Sequence, residues 1–135
     1  MTYEPTYPVL VVTPDLDLQT VFDAIVNHLE RQGSRCLTKG KFGAGQICAN
    51  RNGAGQACAA ACLMTDEEAH LNVSFAKARA NNNLPKRFER HGDMIADMQR
   101  AHDAANLPGM MNLYIAEVAN RYGLTFKLLS WGGEL

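Results

Sequence analysis

Between Asp17 and Gln32 the apolar residues Leu18, Val21, Phe22, Ile25 and Leu29 recur at intervals of three and four, the spacing that gathers them on one helical face. Acids stand at the start of this stretch and Gly33 just past its end, which suits the two poles of a helix. A helix over 17–32 is the clearest element of the chain. Before it, "PVLVVT" (8–13) is a short apolar, β-branched run between Pro8 and Pro14, and it reads as a buried strand. Residues 34–57 lose the helical period and are rich in glycine. That predicts a loop and a hairpin turning at Asn52-Gly53.

Helical signals return at Thr65, where "TDEE" can form a capping box with Thr65 and Glu68 bonding each other's amides. The helix it starts should run from Asp66 to about Ala80 and end at "NNN" (81–83). A third helix is expected over Asp93–Ala105, with Met94, Ile95, Met98 and Ala101 on one face. A fourth should cover Met110–Tyr122, with Leu113, Val118 and Tyr122 inward and Gly123 as its stop. "LTFKLLSW" (124–131) reads as a closing strand. No linker or low-complexity tract divides the 135 residues. The expected fold class is α+β, about four helices with a small antiparallel β-hairpin or short sheet in a single domain, 1–135.

Composition narrows the picture. A formal net charge of −1 gives no general drive toward nucleic acid or an anionic membrane. The charge is unevenly spread, however. Residues 1–30 hold Glu4, Asp15, Asp17, Asp23 and Glu30 and no Lys or Arg, whereas 77–91 hold Lys77, Arg79, Lys86, Arg87 and Arg90 against the single acid Glu89. No apolar run approaches the roughly 18 residues of a membrane span, and "MTYEPTYPVLVV" lacks the basic start of a secretory signal. The expected location is the cytoplasm, where Cys36, Cys48, Cys58 and Cys62 stay reduced.

The stretch "GAGQICANRNGAGQACAA" (43–60) repeats Gly-Ala-Gly-Gln-x-Cys after ten positions. A phosphate cradle would need such glycines to lead into a helix behind a buried strand, with a Lys and a Ser or Thr or a downstream acid. Here they lead into "QICANR" and "QACAA", and no nucleotide site follows. A two-residue Asn52-Gly53 loop sets Arg51 opposite Ala54 and Cys48 opposite Ala57, which puts Cys48 and Cys58 on opposite faces. A three-residue loop pairs Cys48 with Cys58 instead, and Cys62 joins them if a helix begins at Cys58. Cys48, Cys58 and Cys62 are thus the metal candidates, although C-x11-C-x9-C-x3-C is not the paired spacing of a zinc site. Reduced, buried thiols are the expected state, with no metal and no cofactor.

His28 sits at the edge of the first helix's apolar face and reads as a core histidine bonded to backbone. Glu67-x-x-His70 has the spacing of a di-iron helix without the second helix that chemistry needs. His102-Asp103 resembles the doublet of metal-dependent phosphohydrolases without its outlying ligands. No Ser-His-Asp grouping or nucleophile elbow supports acyl transfer. Cys36 and Cys48 lie in Lys-containing sequence that can lower a thiol pKa, but no base accompanies them. The basic stretch "KARANNNLPKRFERHG" (77–92) offers Lys86, Arg87 and Arg90 as one positive patch for an acidic partner, or for nucleic-acid phosphates as a less favoured choice. Trp131, beside two glycines in "SWGGEL", is the candidate exposed anchor.

"HLERQG", "CANRNGAGQACAAACLMTDEE", "DMQRAHD" and "YIAEVANRYGL" together resemble, in order and in wording, a family of small proteins of tailed phages and prophages that carries no established activity. The matching positions are His28, Cys48, Arg51, Cys58, Cys62, Asp66, Gln99, His102 and Asp103. The chain departs from the pattern at Ala61, where the family usually has Gly, and at Asn50, where an aromatic residue usually precedes the Arg. The resemblance implies an origin in mobile DNA, where short accessory proteins bind and divert a host component. The expected function is a non-enzymatic phage or mobile-element accessory protein that binds a host or defence-system protein. The alternative is a small-ligand or metal-binding module built around the Cys48–Cys62 segment.

Overall fold

The computed structural model of the chain describes residues 3–39, 46–48, 50–71, 84–105 and 109–134. Among them are four α-helices: α1 Leu18–Gln32, α2 Asp66–Leu71, α3 Gly92–Ala104 and α4 Met110–Tyr122. Short 3-10 turns lie at Ala61–Leu63 and Lys86–Phe88. The fold is mostly helical. Pairing of extended backbone among the described residues is confined to β1 Leu37–Lys39 against β2 Gln46–Cys48, antiparallel with Leu37 opposite Cys48, and one isolated bridge between Arg51 and Ala57.

α1 forms where its periodicity predicts. Asp17 caps its start by accepting from the Thr20 amide at 2.8 Å, and Gly33 ends it with φ +79°, a left-handed conformation that an L side chain resists. Its inward stripe of Val21, Phe22, Ile25, Val26 and Leu29 is buried, as are Leu63, Met64, Phe88, Met94, Ile95, Met98 and Ile115 from the other elements. The capping box also forms as read. The Thr65 amide donates to Glu68 at 2.9 Å and the Glu68 amide to the Thr65 hydroxyl at 3.1 Å. The continuation of that helix toward Ala80 and the "NNN" stop lie outside the described residues.

α3 packs mainly on α4 and also touches α1. On α4 the inward residues are Met111, Asn112, Ile115, Val118 and Ala119. Leu113, expected inward, is instead 39% exposed, because the face is set by the packing of α3 and the tail rather than by the apolar count alone.

Three extended elements read from the sequence take other forms. Residues 8–13 are irregular, with Val12 buried and Val11 62% exposed; Pro8 and Pro14 lack N–H donors, and the Val9 amide finds the Cys62 carbonyl at 2.8 Å. Neither hairpin register at Asn52-Gly53 is adopted. The Arg51–Ala57 bridge leaves a five-residue loop, 52–56, which the Asn52 side chain organises by accepting from the amides of Ala54 and Gln56, both at 3.1 Å. Residues 124–131 form no strand but run along α1. There the Gln19 side chain brackets Thr125, Phe126 meets Phe22 edge to face at 6.0 Å, and Glu30 accepts from the Ser130 amide.

The tail then closes against α4. Asn112, fully buried, donates to the carbonyls of Leu129 at 2.9 Å and Gly133 at 2.6 Å and accepts from the Leu129 amide at 2.8 Å. A β-carbon at Gly133 would fall 2.0 Å from the Gly109 α-carbon, and Gly133 has φ +87°. Glycine is there because two backbones touch.

Candidate functional site

Residues 57–64 form a short, completely buried segment, "ACAAACLM", across the middle of the molecule. Alanine side chains let backbones approach closely, and close approach buries peptide groups that then need partners. Those partners arrive from every side. Gln32 accepts from the Ala57 amide at 2.9 Å, and Gln99 accepts from the Ala60 amide at 2.9 Å. Arg51 donates to the carbonyls of Ala61 and Met64, both at 2.8 Å, closing the end of the 3-10 turn. Its other terminal nitrogen pairs with Asp66 at 2.6 Å, and its guanidinium lies 4.1 Å from the centre of the Tyr7 ring.

His28 is 1% exposed and lies between two groups that fix its tautomer. Nε2 faces the Ala57 carbonyl at 2.9 Å and must carry the hydrogen; Nδ1, 3.0 Å from the Tyr3 hydroxyl, accepts. Burial holds this imidazole below its ordinary pKa, with the nearby Arg51 charge acting in the same direction. Across the segment, the His102 Nε2 accepts from the Cys36 amide at 3.2 Å. Nδ1 therefore carries the hydrogen toward the Asp103 carboxylate at 2.9 Å. Gln99 donates to the same carboxylate oxygen at 2.7 Å, and Arg35 holds the carbonyls of His102 and Asp103, both at 3.0 Å.

The thiols fill the remaining space. Cys58 lies 3.5 Å from the Asn50 side-chain oxygen and accepts from the Ala61 amide at 3.4 Å, while Cys62 donates to the Ala59 carbonyl at 3.2 Å. Burial pushes the Cys58 thiol up to about 12 and the Cys62 thiol well above its ordinary value. Thiols so protonated are poor nucleophiles. Both His102 nitrogens already have partners, so the His102-Asp103 pair offers no ready base. Among the described residues no group of three or more His, Cys, Asp or Glu side chains is placed to hold a metal ion. The Cys48 side chain lies outside them. His28, Arg51, Cys58, Cys62, Asp66, Gln99, His102 and Asp103, eight positions scattered along the sequence, thus meet around one buried segment.

The surface candidates fare differently. Lys86 is exposed. Arg87 pairs with Glu68, reaches the Leu63 carbonyl and lies over the Phe88 ring, while Arg90, though exposed, donates to the Pro14 carbonyl at 2.6 Å. Two of the three cations expected to form one patch therefore brace the fold, and Lys77 and Arg79 lie outside the described residues. Trp131 is no exposed anchor. Its ring is partly buried against the core and its indole N–H donates to the Leu29 carbonyl at 2.8 Å, because the adjacent glycines draw the tail in.

Composition and periodicity did not single out the side chains that complete the centre: Tyr3, Tyr7, Gln32, Arg35 and Asn50. The Tyr7 hydroxyl donates to the Gly55 carbonyl at 2.9 Å, and its ring meets His28 at its edge. Tyr3 and Tyr7 belong to an amino-terminal strap, residues 3–12, that also forms one wall of a groove of about 420 Å³. The opposite wall is α1, through Thr20, Asp23, Ala24, Asn27 and Arg31. No protein-family model, curated protein or solved structure matches the chain.

Proposed function

We propose that this chain is a non-enzymatic accessory protein of a phage or other mobile element, and that it acts by binding a host or defence-system protein. One observation carries the reading: among the described residues, the His28 and His102 imidazoles and the Cys58 and Cys62 thiols are buried and bonded to neighbouring side chains or to backbone. His28 holds Ala57, His102 holds Cys36 and Asp103, and the Cys58 thiol is pushed up to about 12. A catalytic centre keeps an open position beside its reactive groups; a scaffold fills it. The phage-like wording of the sequence falls on this filled centre and fits a protein selected for its shape. The contact surface is assigned to the groove beside α1 in preference to the basic stretch, because Arg87 and Arg90 already bond inward.

Affinity capture from bacterial lysate, with the whole chain as bait, tests the reading. A single host protein retained at near-equal amounts and competed away by free chain is the expected result. Elemental analysis showing near one zinc per chain, lost in Cys58→Ser, would replace it with the metal-binding alternative. No protein retained above a mock bait would remove its basis.

A further inference from the structure

The groove between the strap and α1 is chemically polarised. Thr20, Asp23, Asn27 and Arg31 follow one another at three and four residues, so they form a single ridge along the outer edge of α1. Asp23 and Arg31 are its two charged positions, about 12 Å apart along the helix axis. The apolar floor is made by Val9 and Leu10 of the strap with Ala24, which falls between the two charges along α1, and Asn27 stands exposed on the same ridge.

Both charged groups keep capacity for a ligand. Gln19 donates to one oxygen of Asp23 at 2.8 Å, and a carboxylate has lone pairs beyond that one. Arg31 lies with its guanidinium carbon 4.6 Å from the centre of the Tyr3 ring. A guanidinium stacked by its face presents its N–H donors at its edge, in the geometry that a carboxylate accepts.

Resting on the binding reading above, we infer that this groove takes an extended peptide segment of the partner protein, with a basic side chain at the Asp23 end, an aliphatic one over the floor and an acidic one at the Arg31 end. Extended chain matches the spacing. Side chains at i, i+2 and i+4 share one face, and four residues span about 13 Å. The Asn27 amide, which donates and accepts, suits a peptide group between them. A small metabolite seldom carries opposite charges that far apart with an apolar middle.

The probes are three capped heptapeptides: Ala-Lys-Ala-Leu-Ala-Glu-Ala, and like-charged versions carrying two Lys or two Glu at the charged positions. Titration into the whole chain, followed by amide chemical shifts, should show the mixed-charge peptide binding about three- to tenfold tighter than either control. The shifts should centre on Ala24 and Asn27 and weaken as salt rises. Asp23→Lys, at an exposed position, should reverse the preference toward the two-Glu peptide while its circular dichroism stays unchanged. Equal binding of all three peptides, shifts away from α1, or an unchanged preference in Asp23→Lys would overturn the inference. Lysate capture separates it from the reading it rests on. If wild type and Asp23→Lys retain the same partner equally, the groove assignment falls and the binding function stands. If no partner is retained yet the peptides are discriminated, the groove stands and the function falls.

Discussion

Along α1 the residues that reach the core are Val21, Phe22, Ile25, Val26 and Leu29, whereas residues 57–64 bring in four alanines, two thiols, Leu63 and Met64. Both stretches are buried, but different forces hold them. The helix satisfies its own peptide groups and contributes apolar surface, so its stability comes from burial and dispersion. The alanine segment contributes little side-chain surface and completes only part of its own hydrogen bonding. Gln32, Arg51, Gln99 and the strap must bond its backbone from outside. A core of large side chains tolerates one missing polar group; a core of close backbones does not.

The largest effect should come from emptying the apolar side of this comparison. Phe22 is fully buried and meets Phe126 edge to face, so Phe22→Ala should cost about 3–5 kcal/mol in urea titration. A loss under about 1 kcal/mol would show that α1 is not held by its apolar face. On the polar side, Gln99→Met keeps the volume and removes the acceptor, leaving the buried Ala60 amide without its partner. That should cost about 1–3 kcal/mol, far more than the change in apolar burial would suggest. If Gln99→Met is neutral or stabilising, the alanine segment is held by packing after all and the contrast collapses.

These two sites differ in the same way in how they can be read. The Phe22 face, the capping box of Thr65 and Glu68, and three helices ending within a residue or two of their expected bounds were legible, because each depends on neighbours three or four positions away. Gln99 and Ala60 are thirty-nine positions apart, and nothing local ties an amide side chain to a distant peptide group. The same holds for Arg51, whose partners are chosen by the 3-10 turn it closes. His28 was half legible. Its place on the edge of the apolar face announced a buried, backbone-bonded imidazole, but not that Tyr3 would take the other nitrogen. Residues 8–13 form no strand, for a related reason. β-branched residues mark a preference for extended backbone, and a strand also needs a neighbour to pair with, which none of the described residues supplies there.

Acid should act next in size, and on the polar side only. His28 is held neutral in the folded chain, with its pKa below the ordinary imidazole value, so below about pH 6.5 the unfolded chain binds the extra proton first. Its contribution to stability is complete above that pH and is lost as the pH falls toward the depressed folded value. One such group changes stability by at most about 1.4 kcal/mol per pH unit. Urea midpoints measured from pH 7.5 to 5 should fall for wild type, and the His28-dependent part of the slope should vanish in His28→Gln. An identical slope in the variant would mean that another group carries the acid sensitivity.

The smallest effect distinguishes charges that brace the fold from a charge that only faces water. Lys86 is exposed, and Lys86→Glu should change stability by less than about 0.5 kcal/mol. Its neighbour Arg87 pairs with Glu68, reaches the Leu63 carbonyl at the end of the alanine segment and covers Phe88. Arg87→Glu sets two carboxylates together and withdraws a donor from that carbonyl, so it should cost clearly more than the Lys86 change. Reversing both at once would confound a binding surface with the fold. The informative experiment is the pair of single variants, each measured for its urea midpoint and its partner capture. A Lys86→Glu chain that keeps its midpoint and its partner removes the basic stretch as a contact. One that keeps its midpoint and loses its partner returns the contact from the groove to this loop.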